Sequence, residues 1–259
     1  MERPLLARDM VTAYPSIVTV HGEILHSRGY DNPIAAGDLL LADVGASNRG
    51  WAGDVTRTWP VSGRFSPTQR TLYELVLAAQ LAAIEAVAPG ARYRDLHLAA
   101  ARVIARGLVD EGILRGEVDG LVERGAHALF FVHGLGHLIG LDVHDMEDLG
   151  DRAGYAPGRQ RSTQFGLSFL RLDRDLQPGM AVTIEPGFYQ IPALLAPGSA
   201  QTKAFDDDGS LDRDALAKFA DVRGIRIEDD VLVTAEGPEV LTAALEKQPD
   251  DIEALVGSR

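Results

Sequence analysis

The most constraining feature of the sequence is a set of carboxylates placed on or at the end of largely apolar segments. The runs LLLA, MAVTI and GIRI each end in a carboxylate, at Asp43, Glu185 and Glu228. Asp54 lies within a further predicted strand, residues 51–59. Runs of this length and composition indicate buried strands. Four carboxylates converging in one core would repel each other, so the set indicates a concentrated positive charge between them.

The first two carboxylates are predicted to lie on one hairpin. Turn residues between the apolar segment ending at Asp43 and the segment carrying Asp54 favour antiparallel pairing. Pairing would bring the two side chains together if both face the same side of the sheet. Two ordinary explanations stay open at this point: Asp54 pairs with nearby Arg57, or Asp43 caps a turn.

A glycine-rich stretch, residues 131–145, holds three of the seven histidines, His133, His137 and His144. Titratable side chains in an apolar frame are costly to bury unless a metal, a proton or a substrate uses them. Oxygen ligands joined by imidazole favour Mn²⁺, Co²⁺ or Fe²⁺ over a structural zinc site. Two such cations sharing a water generate a hydroxide near neutral pH, which is the chemistry of amide or ester hydrolysis.

Composition narrows the class of protein. The 259 residues fit one large domain or two small ones, and a net charge of −13 argues against nucleic-acid or anionic-membrane partners. The absence of cysteine excludes disulfides, thiolate zinc sites and a cysteine nucleophile. Residues 1–18 contain no apolar segment of signal-peptide length, and no window is long enough to cross a bilayer. We therefore expect a cytoplasmic protein.

Helix signals frame the predicted strands. Ser66-Pro67-Thr68-Gln69 is a capping box, which starts a helix that Pro89-Gly90 stops. A second helix is predicted over residues 95–110, and His97 near its start is interpreted as a surface or packing residue. A short amphipathic helix is predicted over residues 249–256. The polar segments 146–175 and 190–222 are interpreted as excursions from the core.

Five motifs carry a resemblance to a known family. In order, LLLADVGA, WAGDVTRTWPVSG, HGLGHLIGLDVHD, VTIEPGFY and GIRIEDDVLVT resemble the catalytic domain of the pita-bread metallopeptidases. That family includes methionine aminopeptidase, prolidase, aminopeptidase P and creatinase, and similarity is greatest to the bacterial aminopeptidase P branch. The resemblance implies an α+β pita-bread fold with a curved antiparallel sheet flanked by helices. It implies one catalytic domain over residues 1–259, N-terminally incomplete, without the usual N-terminal helices or separate N-terminal domain.

The resemblance also implies roles for individual residues. Five side chains would bind two metal ions: Asp43, Asp54, His137, Glu185 and Glu228. Asp43 would chelate one ion, Asp54 and Glu228 would bridge both, and His137 and Glu185 would complete the shell of the other.

Further residues would act on the substrate or support the ligands. Glu185 would also shuttle the proton, while His133 and His144 would contact the substrate and stabilise the tetrahedral intermediate. His26 matches another active-site histidine. Arg226 would support the metal carboxylates, and Tyr189 would line the site.

The implied activity is removal of the N-terminal residue from peptides with proline at the second position, by a hydroxide bridging two divalent metals. Mn²⁺ is the first expectation, with Co²⁺, Fe²⁺ or Zn²⁺ as alternatives, and a homo-oligomer is compatible with the resemblance. The alternative within the class is an Xaa-Pro dipeptidase (prolidase), whereas creatinase chemistry needs no metal and ranks low. The alternative from another class is a catalytically inactive truncated product or a peptide-binding module.

Overall fold

The computed structural model describes residues 2–257 of the chain. Its α-helices, in chain order, are α1 (Arg3–Leu6), α2 (Pro67–Glu85), α3 (Tyr93–Asp110), α4 (Val118–Glu123), α5 (Asp151–Gly154), α6 (Pro192–Leu195), α7 (Lys203–Asp207), α8 (Arg213–Ala217) and α9 (Pro249–Gly257). Single 3₁₀ turns occur at Ala126–Leu129, Glu147–Leu149 and Leu167–Phe169.

The strands form four small antiparallel sheets. They are β1 (Val11–Thr12), β2 (Ile17–Thr19), β3 (Leu39–Asp43), β4 (Ala46–Asn48), β5 (Trp51–Ala52), β6 (Thr56–Pro60), β7 (Ala181–Ile184), β8 (Gly187–Tyr189), β9 (Gly224–Arg226), β10 (Asp229–Thr234) and β11 (Gly237–Val240). The strand orders are β1-β4-β5, β2-β3-β6, β11-β10-β7 and β8-β9. Hydrogen bonds outside the regular ladders join these sheets, including Glu228 N to Thr56 O at 3.1 Å.

The two long helices form the layer behind the sheets. α2 begins where the capping box predicts, since Ser66 and Gln69 bond each other's backbone N–H groups. Its inward residues, among them Leu72 and Val76, are fully buried in the main hydrophobic core. α3 starts at Tyr93, two residues earlier than predicted, because the Tyr93 N–H donates to Arg174 O across the chain. The predicted C-terminal helix is confirmed as α9.

The predicted hairpin is confirmed, but the second strand is not continuous. β3 pairs with β6 in a register that sets Asp43 opposite Thr56. The strand predicted over residues 51–59 is instead divided into β5 and β6, and Asp54 lies in the break. Its N–H donates to the Asp230 carboxylate, at 3.0 Å, and not to a strand neighbour. The break turns Asp54 toward Asp43.

The excursion at residues 146–175 packs closely on the rest of the molecule. Buried Asp173 accepts hydrogen bonds from Arg92 at the start of α3, at 2.6 Å to each carboxylate oxygen. Arg159 lies 3.6 Å from the same carboxylate. These ion pairs hold the excursion against the start of α3. Other residues of the excursion, among them Arg161 and Phe169, line the cavity described below.

Candidate active site

The histidine-rich stretch is held against β7 by backbone pairing. Thr183 N donates to His137 O at 2.9 Å, and Glu185 N donates to Leu135 O at 2.8 Å. Between them Gly136 has φ +155°, and a Cβ there would lie 2.3 Å from Thr183 O. Only glycine fits at this position. The close approach brings the His137 ring to the carboxylate that follows β7.

Three of the predicted ligands form a tight buried cluster. Asp54, His137 and Glu228 each offer a ligand atom, and these atoms lie within 4.8 Å of one another. His137 Nε2 lies 3.5 Å from Asp54 Oδ2 and 3.8 Å from Glu185 Oε1. The other ring nitrogen, Nδ1, donates to Leu138 O at 2.9 Å, which leaves Nε2 to face the carboxylates.

The remaining two carboxylates, Asp43 and Glu185, are connected to the cluster by contacts with the Arg226 guanidinium. Its Nη2 donates to Asp43 Oδ2 at 2.6 Å, and its Nε lies 3.9 Å from Glu185 Oε2. The same Nε donates to Thr56 Oγ1, which donates to Glu228 Oε2 at 2.6 Å. One buried guanidinium therefore fixes carboxylates from distant parts of the chain.

Burial and mutual repulsion shift the pKa values of the cluster. Burial raises the pKa of Glu185 to about 7, although His137 and Arg226 oppose the shift. Burial, followed by the charges of Asp54 and Glu185, raises the pKa of Glu228 well above its usual range. Burial works against charge on Asp54 as well, but hydrogen bonding to His137 keeps the pKa of Asp54 below its ordinary value. Perturbed groups of this kind mark functional sites.

Tyr14 is part of the site although the sequence suggested only a turn at that position. Its hydroxyl lies 2.5 Å from Asp43 Oδ1 and 2.5 Å from Asp54 Oδ1. Burial, together with the surrounding carboxylates, raises the pKa of Tyr14, so the phenol keeps its proton. These contacts span 29 and 40 residues of chain, so no local sequence pattern indicates them.

His133 lies beside the cluster with both ring nitrogens engaged. Nδ1 donates to Gly134 O at 2.7 Å, and Nε2 lies 2.8 Å from the Tyr189 hydroxyl. Arg226 Nη1 donates to the same hydroxyl at 3.1 Å. Burial, with the charge of Arg226, lowers the pKa of His133 to about 3, so the ring is neutral near pH 7.

His144 and His26 lie on the cavity wall and are more exposed. The His144 ring meets the His137 ring edge-to-face at 4.4 Å, and its Nδ1 lies 2.9 Å from Glu147 Oε2. Glu147 also pairs with Arg171. Burial, with the charges of His137 and Arg171, lowers the pKa of His144 to about 4. His26 lines the same cavity.

The predicted residues converge on two cavities that meet at the carboxylates. The larger, of about 510 Å³, contains all five predicted metal ligands with His26, His133, His144 and Arg226. Tyr189 does not line this cavity itself, but it contacts His133 and Arg226, which do. The smaller, of about 310 Å³, shares Asp43, Asp54, His26 and His144 with the larger and is also lined by Tyr14. Arg57 pairs with Asp229, so the ordinary explanation of Asp54 as its partner is wrong.

His97 and His127 lie outside this cluster. Both are fully buried in the layer beneath residue 131, with ring centroids 6.0 Å apart. Of the two interpretations of His97, packing is confirmed and the surface position is wrong.

A family model for metallopeptidase family M24 matches residues 5–235 of the chain. The chain belongs to metallopeptidase family M24. Among M24 relatives, the Xaa-Pro aminopeptidase of Haemophilus influenzae is 40% identical over 90% of this chain and 45% of its own length. The Xaa-Pro dipeptidase of Homo sapiens is 39% identical over 86% of this chain and 43% of its own length.

Solved M24 structures agree with the fold. The aminopeptidase PepP of Pseudomonas aeruginosa superposes with a TM-score of 0.75 at 40% identity, covering 95% of this chain and 48% of that one. The α+β pita-bread fold predicted from the sequence is therefore confirmed. The chain spans about half the length of the M24 relatives that it matches. Among residues 2–257, no helix is long and apolar enough to span a membrane. The cytoplasmic location stays a prediction.

Proposed function

We propose that this M24 chain is a metal-dependent exopeptidase that hydrolyses the bond between an N-terminal residue and a following proline. The observation that carries the proposal is the buried cluster in which Asp54, His137 and Glu228 offer ligand atoms within 4.8 Å. The similarity to Xaa-Pro aminopeptidases supports the substrate class. We also propose that residues 1–259 act as a single catalytic domain, because elements from both ends of the chain contribute residues to the site.

The donor set fits two hard or intermediate divalent cations. Four carboxylates face one imidazole and one guanidinium, so the cluster has an excess of negative charge that a cation pair would balance. Asp43 would bind one ion, His137 and Glu185 the other, and Asp54 and Glu228 would bridge them. When bound, two such ions supply Lewis acidity and lower the pKa of a shared water. Mn²⁺ is our first candidate, ahead of Co²⁺, Fe²⁺ and Zn²⁺.

Glu185 is proposed as the proton carrier. Its carboxylate lies at the cluster, with Oε1 3.8 Å from His137 Nε2, where it would accept a proton from the attacking water and return it to the leaving nitrogen. Arg226 is proposed as a positioning residue, because its guanidinium is already committed to Asp43, Thr56 and Tyr189.

The histidines are proposed to contact the substrate in different ways. His133 has both nitrogens engaged, so it offers its ring face to an apolar group such as the pyrrolidine ring. His144 Nδ1 lies 2.9 Å from Glu147 Oε2 and donates to it, so in the neutral ring Nε2 is a hydrogen-bond acceptor for an N–H group of the substrate. His26 lines the same cavity and would bound the same space.

Metal-dependent turnover tests the proposal. Protein stripped with a chelator and reloaded with Mn²⁺ is expected to release alanine from Ala-Pro-Gly-Gly, measured by chromatography of the products. Glu185→Gln should abolish release, whereas Glu111→Gln, at the exposed end of α3, should match the wild type. A folded sample that is inactive with every divalent metal tried would refute the proposal in favour of an inactive or peptide-binding module.

A dipeptidase is the second candidate, and Arg171 is the observation that favours it. This half-buried arginine lines the larger cavity; its Nη1 pairs with Glu147, and the rest of its guanidinium is suited to bind the free carboxylate of an Xaa-Pro dipeptide. A dipeptidase would cleave Ala-Pro but not Ala-Pro-Gly-Gly, and Arg171→Met would remove the activity toward Ala-Pro. Cleavage of both peptides, with Arg171→Met affecting only Ala-Pro, would retain the aminopeptidase assignment.

A further inference from the structure

The larger cavity contains an exposed aromatic side chain that the proposed chemistry does not use. Phe169 is 52% exposed, and its ring meets the Phe165 ring edge-to-face with centroids 5.9 Å apart. Both rings line the cavity that contains the predicted metal ligands. Two adjacent aromatic rings at the wall of a cavity with polar groups form the kind of apolar surface that lines ligand pockets.

The backbone carrying Phe169 is tightly fixed. Arg161 Nη1 donates to Ser168 O at 3.0 Å and to Leu170 O at 2.8 Å, one on each side of Phe169. The Tyr155 hydroxyl donates to Leu170 O at 2.6 Å. Arg161 is itself paired with Asp151 at 2.6 Å. The exposed ring is therefore presented by a preorganised support, which lowers the entropic cost of binding to it.

This aromatic pair also lies next to the histidine-rich stretch. A Cβ on Gly134 would lie 2.9 Å from Leu170 Cα and 3.0 Å from Phe169 O, so the two segments touch along their backbones. Gly134 directly follows His133. The segment that carries the aromatic pair therefore flanks the residue after His133, and both His133 and the aromatic pair line the larger cavity.

The two cavities share Asp43, Asp54, His26 and His144 but differ in size and in the rest of their lining. An exopeptidase holds a single residue on the amino side of the cleaved bond, and under the proposed function the smaller cavity, of about 310 Å³, would hold that residue. The larger cavity, about 510 Å³, then receives the carboxyl side. The aromatic pair belongs to the larger cavity only, so it lies on the carboxyl side of the cleaved bond.

We propose that Phe165 and Phe169 form a binding subsite for an apolar, preferably aromatic, side chain at the third position of the substrate. The inference rests on the proposed function, and it adds a substrate class: peptides of the form Xaa-Pro-aromatic. Aromatic pairs and apolar burial of this size change affinity by roughly ten-fold.

Binding of product-type peptides tests the subsite without any turnover. With Mn²⁺-loaded protein, calorimetry is expected to give about ten-fold tighter binding of Pro-Phe amide than of Pro-Gly amide; the amides remove the carboxylate that Arg171 would bind. Phe169→Ala should reduce this preference to under about two-fold, and Phe169→Leu should restore part of it. Leu81→Ala, an exposed apolar residue on α2, is the matched control and should keep the full preference.

The outcomes separate this inference from the proposed function. Equal binding of the two amides by the wild type, or an unchanged preference in Phe169→Ala, would overturn the subsite even if Ala-Pro-Gly is cleaved. A Phe169-dependent preference in a protein that cleaves no Xaa-Pro peptide would support the subsite and refute the proposed function. Where turnover occurs, kcat/KM for Ala-Pro-Phe should exceed that for Ala-Pro-Gly by the same factor, and Phe169→Ala should remove the difference.

Discussion

Asp229 directly follows Glu228 of the candidate site, and its buried carboxylate is the centre of a charge network whose loss should destabilise the fold. The carboxylate is fully buried and accepts from Arg57 at 2.8 Å, Thr242 at 2.7 Å, Gln80 at 2.6 Å and Lys247 at 2.6 Å. Replacing it by alanine leaves the buried Arg57 guanidinium without its counter-charge. Removing one partner of a buried pair costs about 3–5 kcal/mol, so we expect Asp229→Ala to lose stability by that amount.

The free energy of unfolding from urea titration at pH 7 measures the effect, with chelator and with Mn²⁺. Asp250→Ala is the matched control, because Asp250 pairs with Arg70 at 2.6 Å in full contact with solvent and should change stability little. Asp229→Asn keeps one acceptor oxygen but loses the charge, so its loss of stability should lie between those of Asp229→Ala and Asp250→Ala. A loss below about 1 kcal/mol for Asp229→Ala would show that backbone carbonyls alone satisfy Arg57, and the reasoning would fail.

Other predictions concern the site and its support. Tyr14→Phe should weaken binding of Mn²⁺, measured by calorimetry, because the phenol bridges Asp43 and Asp54; unchanged affinity would remove Tyr14 from the site. Burial lowers the pKa of His127 to about 4, so the unfolded chain binds a proton between pH 6.5 and 4 that the folded chain does not. As the pH falls through this window, His127 should therefore lower the free energy of unfolding by up to about 1.4 kcal/mol per pH unit, and His127→Phe should reduce the slope measured in urea titrations by that amount; an equal slope would contradict it. Gly136→Ala should fail to give the native fold by circular dichroism, because its Cβ would meet a carbonyl at 2.3 Å; a native spectrum would contradict the close approach.

Much of the secondary structure follows from local sequence. The Ser66 capping box places the start of α2 correctly, since both of its hydrogen bonds are local. The apolar runs before Asp43 and Glu185 are strands, as their length and composition predict. The position of Asp54 in a strand is the error. An alternating pattern cannot reveal that its N–H is taken by Asp230, which is 176 residues away.

The contacts around the site also join residues that are distant in the sequence, so local patterns do not predict them. Tyr14, Arg57 and Asp229 have ordinary local patterns, and their roles depend on partners brought together only by the folded sheets. The aromatic pair is hidden in a polar excursion whose sequence gives no periodic signal. The hydrogen bonds from Arg161 that hold this segment form only in the folded structure, so the sequence does not indicate them.

Arg226 shows why the site behaves as one unit. It lies on β9, and its guanidinium reaches Asp43 at the end of β3, Thr56 at the start of β6 and Tyr189 at the end of β8. Thr56 passes the connection on to Glu228, and Tyr189 passes it on to His133. Because one buried guanidinium contacts both the carboxylates and the tyrosine that holds His133, displacement of any of these strands should move the cluster and the cavity wall at the same time. The histidine-rich stretch supplies one imidazole to the cluster, whereas the acidic strands, held in register by Arg226, determine its geometry.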